Sequence, residues 1–322
     1  MKKVIVTTGY RIHINSIDMN GFSGRCCGGL GFALDSPRLK ISVKHEGKDS
    51  FIGNYPDKLK NITEKIRSFY NIKDKFEVKV LEEILEHKGL GSETQLFFSL
   101  ATAILKLSNI KKGTDEIGDD LNLSGVSGIG YGAFKYGNFI VDSGYVLGKT
   151  KKDFVSHSIL LPKIIYHGNI PDNWKILLVI PKNVTSISSD EENQFFEIYT
   201  PVPIDEVKEI SYYTLMGVIP AIEEANFNQF IKSLNIITKL GTKKAELMIN
   251  KQITEGILKK LNDYFGFGAL SSLGPTCYTF IDTNNTTVDL ASLKQEFNEC
   301  EIFLSSVRNK PSSVEVIEEE VF

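Results

Sequence analysis

The chain has 322 residues, 42% hydrophobic and 24% charged, with 37 basic against 40 acidic residues and a net charge of -3. This is globular composition at a length for about two domains; it excludes disordered, collagen-like and coiled-coil chains, and with no global positive field a nucleic-acid partner is not expected. No apolar run approaches the ~20 residues that cross a bilayer, the four cysteines form no CxxC pair that would suggest zinc, and a reduced, cytoplasmic protein is expected.

In chain order, Lys3 to Thr8 is β-branched and Arg11-Ile12-His13-Ile14 alternates, so both read as strands. A glycine-dense stretch follows from Gly21 to Gly31, holding Arg25 and the adjacent Cys26 and Cys27, which cannot easily bridge each other. Leu39 to Val43 reads as a strand, Asp57 to Asn71 as a helix and Phe76 to Val80 as a strand. Next come Glu86-His87-Lys88-Gly89-Leu90-Gly91-Ser92-Glu93-Thr94-Gln95 and a long apolar helix. Strand, glycine loop and helix N-terminus together make an anion site, because loop amides and the helix dipole both favour negative charge. It is not a Walker A loop, since no Gly-Lys-Ser/Thr follows, nor is it a GxGxxG fingerprint.

A second glycine segment, Ser124 to Gly132, leads into Phe139-Ile140-Val141-Asp142, where Asp142 opens a turn of the kind that often exposes carboxylates. The Lys-rich stretch Lys149 to Asp153 marks a boundary between domains expected at 1–155 and 156–322. Beyond it, Trp174 to Ile180 reads as a buried strand and Tyr213 to Leu261 as mostly helical. Gly266 to Gly274 is a third glycine loop, followed by a strand at Thr276 to Ile281 and a helix at Leu290 to Glu299. The tail from Glu315 is an edge strand or a frayed end.

Three glycine segments at these separations resemble the GHMP kinase superfamily. Within it, Arg11-Ile12-His13, Asp18-Met19-Asn20-Gly21, Gly28 to Leu34, the Glu86 to Gln95 block, Ser127-Gly128-Ile129-Gly130, Val141-Asp142-Ser143-Gly144 and Ser271 to Thr276 are similar to beta-ribofuranosylaminobenzene 5'-phosphate synthases. The similarity covers about the first 145 residues and the segment near 270. It implies an α+β fold: an N-terminal domain like ribosomal protein S5 domain 2, then a ferredoxin-like domain. The implied reaction joins phosphoribosyl pyrophosphate to a para-substituted benzoate. Pyrophosphate and CO2 leave, a carbon–carbon bond to ribose forms, and the product enters methanopterin biosynthesis. Mg2+ is the implied cofactor and a homodimer the expected assembly. Many GHMP kinases carry an Asp where this chain has Gly130; a glycine cannot act as a base, which weakens the alternative of an ATP-dependent small-molecule kinase. The chain departs from the synthase pattern at Cys26-Cys27, Glu93, Ser143 and Tyr145.

The expected donor-binding residues are Glu86, His87, Gly89, Leu90, Gly91, Ser92, Thr94, Gly125, Ser127, Gly128 and Gly274, with Ser92 and Glu93 as metal ligands. The expected catalytic residues are Arg11, His13, Asp18, Arg25 and Asp142. Each has an ordinary reading beside the functional one. Ser92 and Gln95 fit a capping box, and Glu93 fits a first-turn acid favoured by the dipole. Arg11 suits a bidentate grip on phosphate or carboxylate, or a surface ion pair. His13 fits a satisfied strand histidine, and Asp18-x-Asn20 fits an Asx turn. Arg25, in a mobile glycine-rich segment, is placed to close over an anionic substrate.

Overall fold

A computed structural model of the chain describes residues 2–82, 85–121, 127–146, 161–184, 189–249 and 251–318. Two long strands, Lys2–Asp18 and Gly28–His45, run antiparallel from Lys3 opposite Lys44 to Asp18 opposite Gly28. They are the spine of a seven-stranded mixed sheet. The segments expected as two strands before Asp18 are one, bent by register shifts between Gly9 and Arg11 and between His13 and Asn15.

The glycine-dense stretch divides. Gly21 and Gly24 turn with positive φ, whereas Gly28 to Gly31 lie inside the second long strand. Packing explains the difference: a side chain on Gly31 would start 2.6 Å from Ile129 Cγ2. The bare strand lets the helix Gly128–Lys135 lie directly on the sheet. That helix stands where a second glycine loop was expected. Beside it, the Ser92–Leu107 helix buries Leu96, Phe98, Leu100, Ala103 and Ile104, each large side chain worth about 1.5–3 kcal/mol of apolar burial.

The second sheet orders its strands Ala269–Leu270, Cys277–Asp282, Trp174–Pro181 and Cys300–Ser306, all antiparallel. In chain order this is the split βαβ arrangement of ferredoxin-like domains. Both faces of Trp174–Pro181 are covered: Ile176, Leu178 and Ile180 join the main core with Phe32 and Phe280, and Leu177 and Val179 join a second core with Ile257 and Leu261. The helical region runs from Ser189–Tyr199 to Lys251–Phe265 and includes one π-helical turn, Thr214–Val218.

The two halves are knitted together. Ile164–Gly168 pairs with Phe139–Asp142, and Ser313–Glu318 pairs with the first strand from Lys2 to Thr7, both within the seven-stranded sheet. The expected boundary at Lys149 to Asp153 lies outside the described residues, as does the tail beyond Glu318. Among the described residues no helix is long and apolar enough to cross a membrane.

The third glycine loop seats the first. Ser271 Oγ donates to the Gly89 carbonyl at 2.8 Å and Thr276 Oγ1 to the Lys88 carbonyl at 2.6 Å. Lys88 Nζ in turn donates to the carbonyls of Pro181, Lys182 and Val184. Gly89 has φ +78°, and a side chain there would start 2.5 Å from the Ser271 carbonyl oxygen. Gly89→Ala should therefore cost about 1–3 kcal/mol in urea unfolding. Gly47→Ala, where nothing lies within 4 Å, should stay within about 0.5 kcal/mol. Equal losses would show that the loop is not seated as described.

Candidate active site

The turn Glu86–Gly91 joins the strand Phe76–Glu82 to the Ser92–Leu107 helix. His87, Gly89 and Gly91 all take positive φ, at 54°, 78° and 67°. Gly91 is the N-cap, and no side chain caps the helix. The capping box expected from Ser92 and Gln95 does not form. Gln95 instead accepts from Thr8 Oγ1 at 2.7 Å and donates to the Gly130 carbonyl at 2.8 Å. The first amides of the helix have no intrahelical partners, and with no side chain capping them they suit an anion.

Arg11 passes beneath this turn. Its backbone N–H donates to the Leu90 carbonyl at 2.9 Å and its Nη1 to the Gly89 carbonyl at 2.8 Å. A side chain at Gly91 would start 2.7 Å from Arg11 Nε, so the glycine is needed for the arginine as well as for its φ. Arg11 Nε is enclosed and has no hydrogen-bond partner among the described residues. Burial pushes the guanidinium down to about 10, with Glu192 and Glu246 opposing that shift.

A pocket of about 180 Å³ opens above the turn, lined by Arg11, Lys58, Glu86, Ser92, Glu93 and Glu192 among others. Gly274 and His87 also border it. Lys58 lies 2.7 Å from Glu86 and 3.4 Å from Glu93. Burial works against its ammonium, yet the two glutamates hold its pKa above the ordinary lysine range. Glu93 is 77% exposed and His87 lies 3.8 Å from Glu86. Burial raises the pKa of Glu192, with Arg11 opposing and Glu246 adding to the rise. Among the described residues no group of three His, Cys, Asp or Glu could hold a metal alone. Ser92, Glu93 and Glu192 could supply only part of a coordination shell.

A second cluster lies further along the first strand. Gly29 brings its ends together: a side chain there would start 3.0 Å from His13 Nε2 and 3.7 Å from Asp142 Oδ2. Asp142 is not exposed at its turn but 2% accessible. Its carboxyl lies 2.5 Å from where a Gly128 side chain would begin and accepts from the Gly144 N–H at 2.7 Å. Burial pushes it up to about 7, against backbone hydrogen bonds from Gly144 and Gly29 and the charge of Arg25. Burial, then Arg11, then Lys243 hold His13 well below the usual histidine range. His13 Nδ1 is enclosed without a partner among the described residues.

The other expected residues are placed as follows. Arg25 lies in a short ladder with Val146 and donates to the carbonyls of Ser143 and Gly144 and to Ser143 Oγ; it staples the turn after Asp142. Asp18 makes the Asx turn, accepting from the Asn20 and Gly21 N–H groups. Ser127 is the N-cap of the helix opened by Gly128, and Thr94 packs against Gly130. Gly125 lies outside the described residues. Cys26 and Cys27 are free thiols whose Sγ atoms lie 3.0 Å apart.

Sequence reading passed over Lys58, Glu192, Lys243 and Glu246. Lys58 sits on an amphipathic helix and Glu192 in an acidic run, both resembling solvated faces. Lys243 and Glu246 have the spacing of a surface ion pair, yet they are 0% and 2% exposed.

No protein-family model matches the chain. A beta-ribofuranosylphenol 5'-phosphate synthase of Methanocaldococcus jannaschii is 34% identical over 305 residues, covering 87% of this chain and 90% of that one. One of Archaeoglobus fulgidus is 32% identical over 319 residues, covering 96% and 98%. One of Methanothermobacter thermautotrophicus is 30% identical over 296 residues, covering 87% and 89%. Among solved structures, a homoserine kinase of Cytophaga hutchinsonii aligns with TM-score 0.68 at 12% identity, covering 97% of both chains. A mevalonate kinase aligns with TM-score 0.64 at 14% identity, covering 95% and 99%. At such identities these two show the fold alone, which is that of the GHMP kinases.

The state of Asp142 has a stability signature. Its carboxyl keeps its proton to about 7 when folded and to roughly 3.9 when unfolded. Between those values the folded chain holds a proton that the unfolded chain has released, so this group's contribution to stability falls as pH rises. Asp142→Asn removes that loss. The difference in Tm, variant minus wild type, should grow from pH 5 to pH 8; a flat difference would show an Asp142 that is ionised throughout.

Proposed function

We propose, on the premise that the chain belongs to the family of beta-ribofuranosylphenol 5'-phosphate synthases, that it transfers the phosphoribosyl group of phosphoribosyl pyrophosphate to 4-hydroxybenzoate with loss of CO2. The ring–ribose carbon–carbon bond forms at the carbon that bore the carboxylate. The C1–oxygen bond breaks with its electron pair leaving on pyrophosphate, and the bond to CO2 returns its pair to the ring. The product in the relatives' name is a phenol, which favours a para-hydroxyl over a para-amino acceptor.

The observation that carries this reading is the glycine turn on an uncapped helix, with Arg11 beneath it and Lys58 beside it. The open amides at the start of the helix, the Ser92 hydroxyl and the two cations suit a diphosphate. These preorganised donors stabilise charge as it develops on the leaving group.

Charge counting favours a divalent cation. Glu86 and Glu93 already engage Lys58 and Glu192 lines the same pocket, so Arg11 and Lys58 alone would not offset the whole charge of pyrophosphate. Mg2+ is commonly bound through one or two carboxylates plus substrate phosphates, and Ser92, Glu93 and Glu192 are the residues that would share it. When bound, it would offset pyrophosphate charge. The remaining work falls to this chain's own groups. A neutral His13 can take the para-hydroxyl proton as electrons move into the ring and return it to the phenolate oxygen when CO2 leaves, and Asp142, near neutrality, can exchange a proton beside it.

A kinase reading lacks support at Gly130. A side chain there would start 3.1 Å from Thr94 Cγ2, so no base occupies that helix position. The deciding assay follows pyrophosphate and CO2 release from phosphoribosyl pyrophosphate and 4-hydroxybenzoate. Both products should appear in equal amounts; ADP formed from ATP and a small alcohol, with neither product, would reject the reading. Arg11→Gln should lower kcat/KM on the order of 10²-fold. Glu93→Gln should move the Mg2+ dependence of turnover to higher concentration; superimposable Mg2+ curves would remove Glu93 from the metal's shell.

A further inference from the structure

Lys243 and Glu246 open the short helix Lys243–Ile249, pair with each other and are 0% and 2% exposed. Each has a further hydrogen-bond partner. Thr242 Oγ1 donates to Glu246 Oε1 at 3.2 Å, and Lys243 Nζ donates to the Leu270 carbonyl at 3.2 Å. Such a pair is a poor stability device: desolvation offsets its attraction, and apolar residues of similar volume are often as stabilising or more so.

Its position relates it to the site. Leu270 directly precedes Ser271, whose hydroxyl accepts from the His13 N–H at 3.2 Å and donates to the Gly89 carbonyl at 2.8 Å. The Lys243 charge bears on His13, and the Glu246 charge bears on Arg11 and Glu192.

We propose that the buried Lys243–Glu246 pair is a positioning element of the active site: Lys243 clamps the third loop behind the glycine turn and fixes a positive charge beside His13, while Glu246 balances that charge within electrostatic reach of Arg11. Neither residue is assigned a contact with substrate. The charged and titratable groups around His13 are Arg11 on its own strand, Lys243 from the helix and Asp142 across Gly29. Two of the three are positive and disfavour an imidazolium, which keeps the ring neutral. The proposal deepens, and rests on, the phosphoribosyl-transfer reading.

The test replaces the pair as a unit, Lys243→Met with Glu246→Leu, in the full-length chain. Tm should hold or rise, turnover should fall at least 10-fold, and the His13 ring, followed by NMR and assigned with His13→Gln, should titrate at higher pH. A second variant, Lys243→Gln with Glu246→Gln, keeps the hydrogen-bonding shape without the charges and should give the same upward shift if the apolar pair fails to fold. Lys243→Arg should keep the wild-type titration. Turnover within twofold of wild type, or an unmoved His13 titration in a folded charge-free variant, would overturn the proposal. A wild-type chain that releases no pyrophosphate would reject the transferase reading instead, and the Tm and His13 measurements would still test the pair.

Discussion

The site depends on Arg11 running under the glycine turn. The main-chain N–H of Arg11 holds Leu90, its guanidinium holds the Gly89 carbonyl, and its side chain fills the space that any residue but glycine would need at position 91. A cation built into the floor of an anion site loses its own hydration in advance. Arg11 therefore needs either nearby carboxylates or a bound anion. Glu192 and Glu246 partly meet that need in the free protein.

The sheet explains how that geometry is held. One long strand carries Arg11, His13 and Asp18, so the floor of the pocket and the His13 side of the second cluster share one backbone. The second half of the chain does not merely lie alongside. Ser271 and Thr276 hold the carbonyls of the turn, Lys88 reaches back to the end of Trp174–Pro181, and Asn15 donates to Ile237 and Leu240. The pocket carries acid in excess and the cluster beneath it is held neutral at His13. On the proposed reading, that contrast would separate a place for a charged leaving group with its cation from a place for proton transfer.

Much of this was legible in the sequence. The Glu86–Gln95 block gave the turn and helix because strand, glycine and apolar periodicity agreed there, and the ferredoxin-like half followed from the resemblance. Other features were hidden by physics that spacing does not carry. Gly28 to Gly31 read only as part of a glycine-dense stretch, because a strand stripped of side chains so that a helix can pack on it shows no strand pattern in one dimension. Asp142 read as an exposed turn residue, because its burial comes from Gly128 and the Arg25-stapled turn, far apart in sequence. Lys243 and Glu246 looked like a surface pair, since a spacing of three residues says nothing about which way a helix faces.

On the proposed reading, the glycine turn with Arg11 holds a diphosphate together with a divalent cation. Calorimetric titration of inorganic pyrophosphate into the 322-residue chain, with and without Mg2+, checks this. One site per chain that needs Mg2+ and is lost in Arg11→Gln is expected. Equally tight binding without Mg2+, or binding untouched by Arg11→Gln, would contradict it.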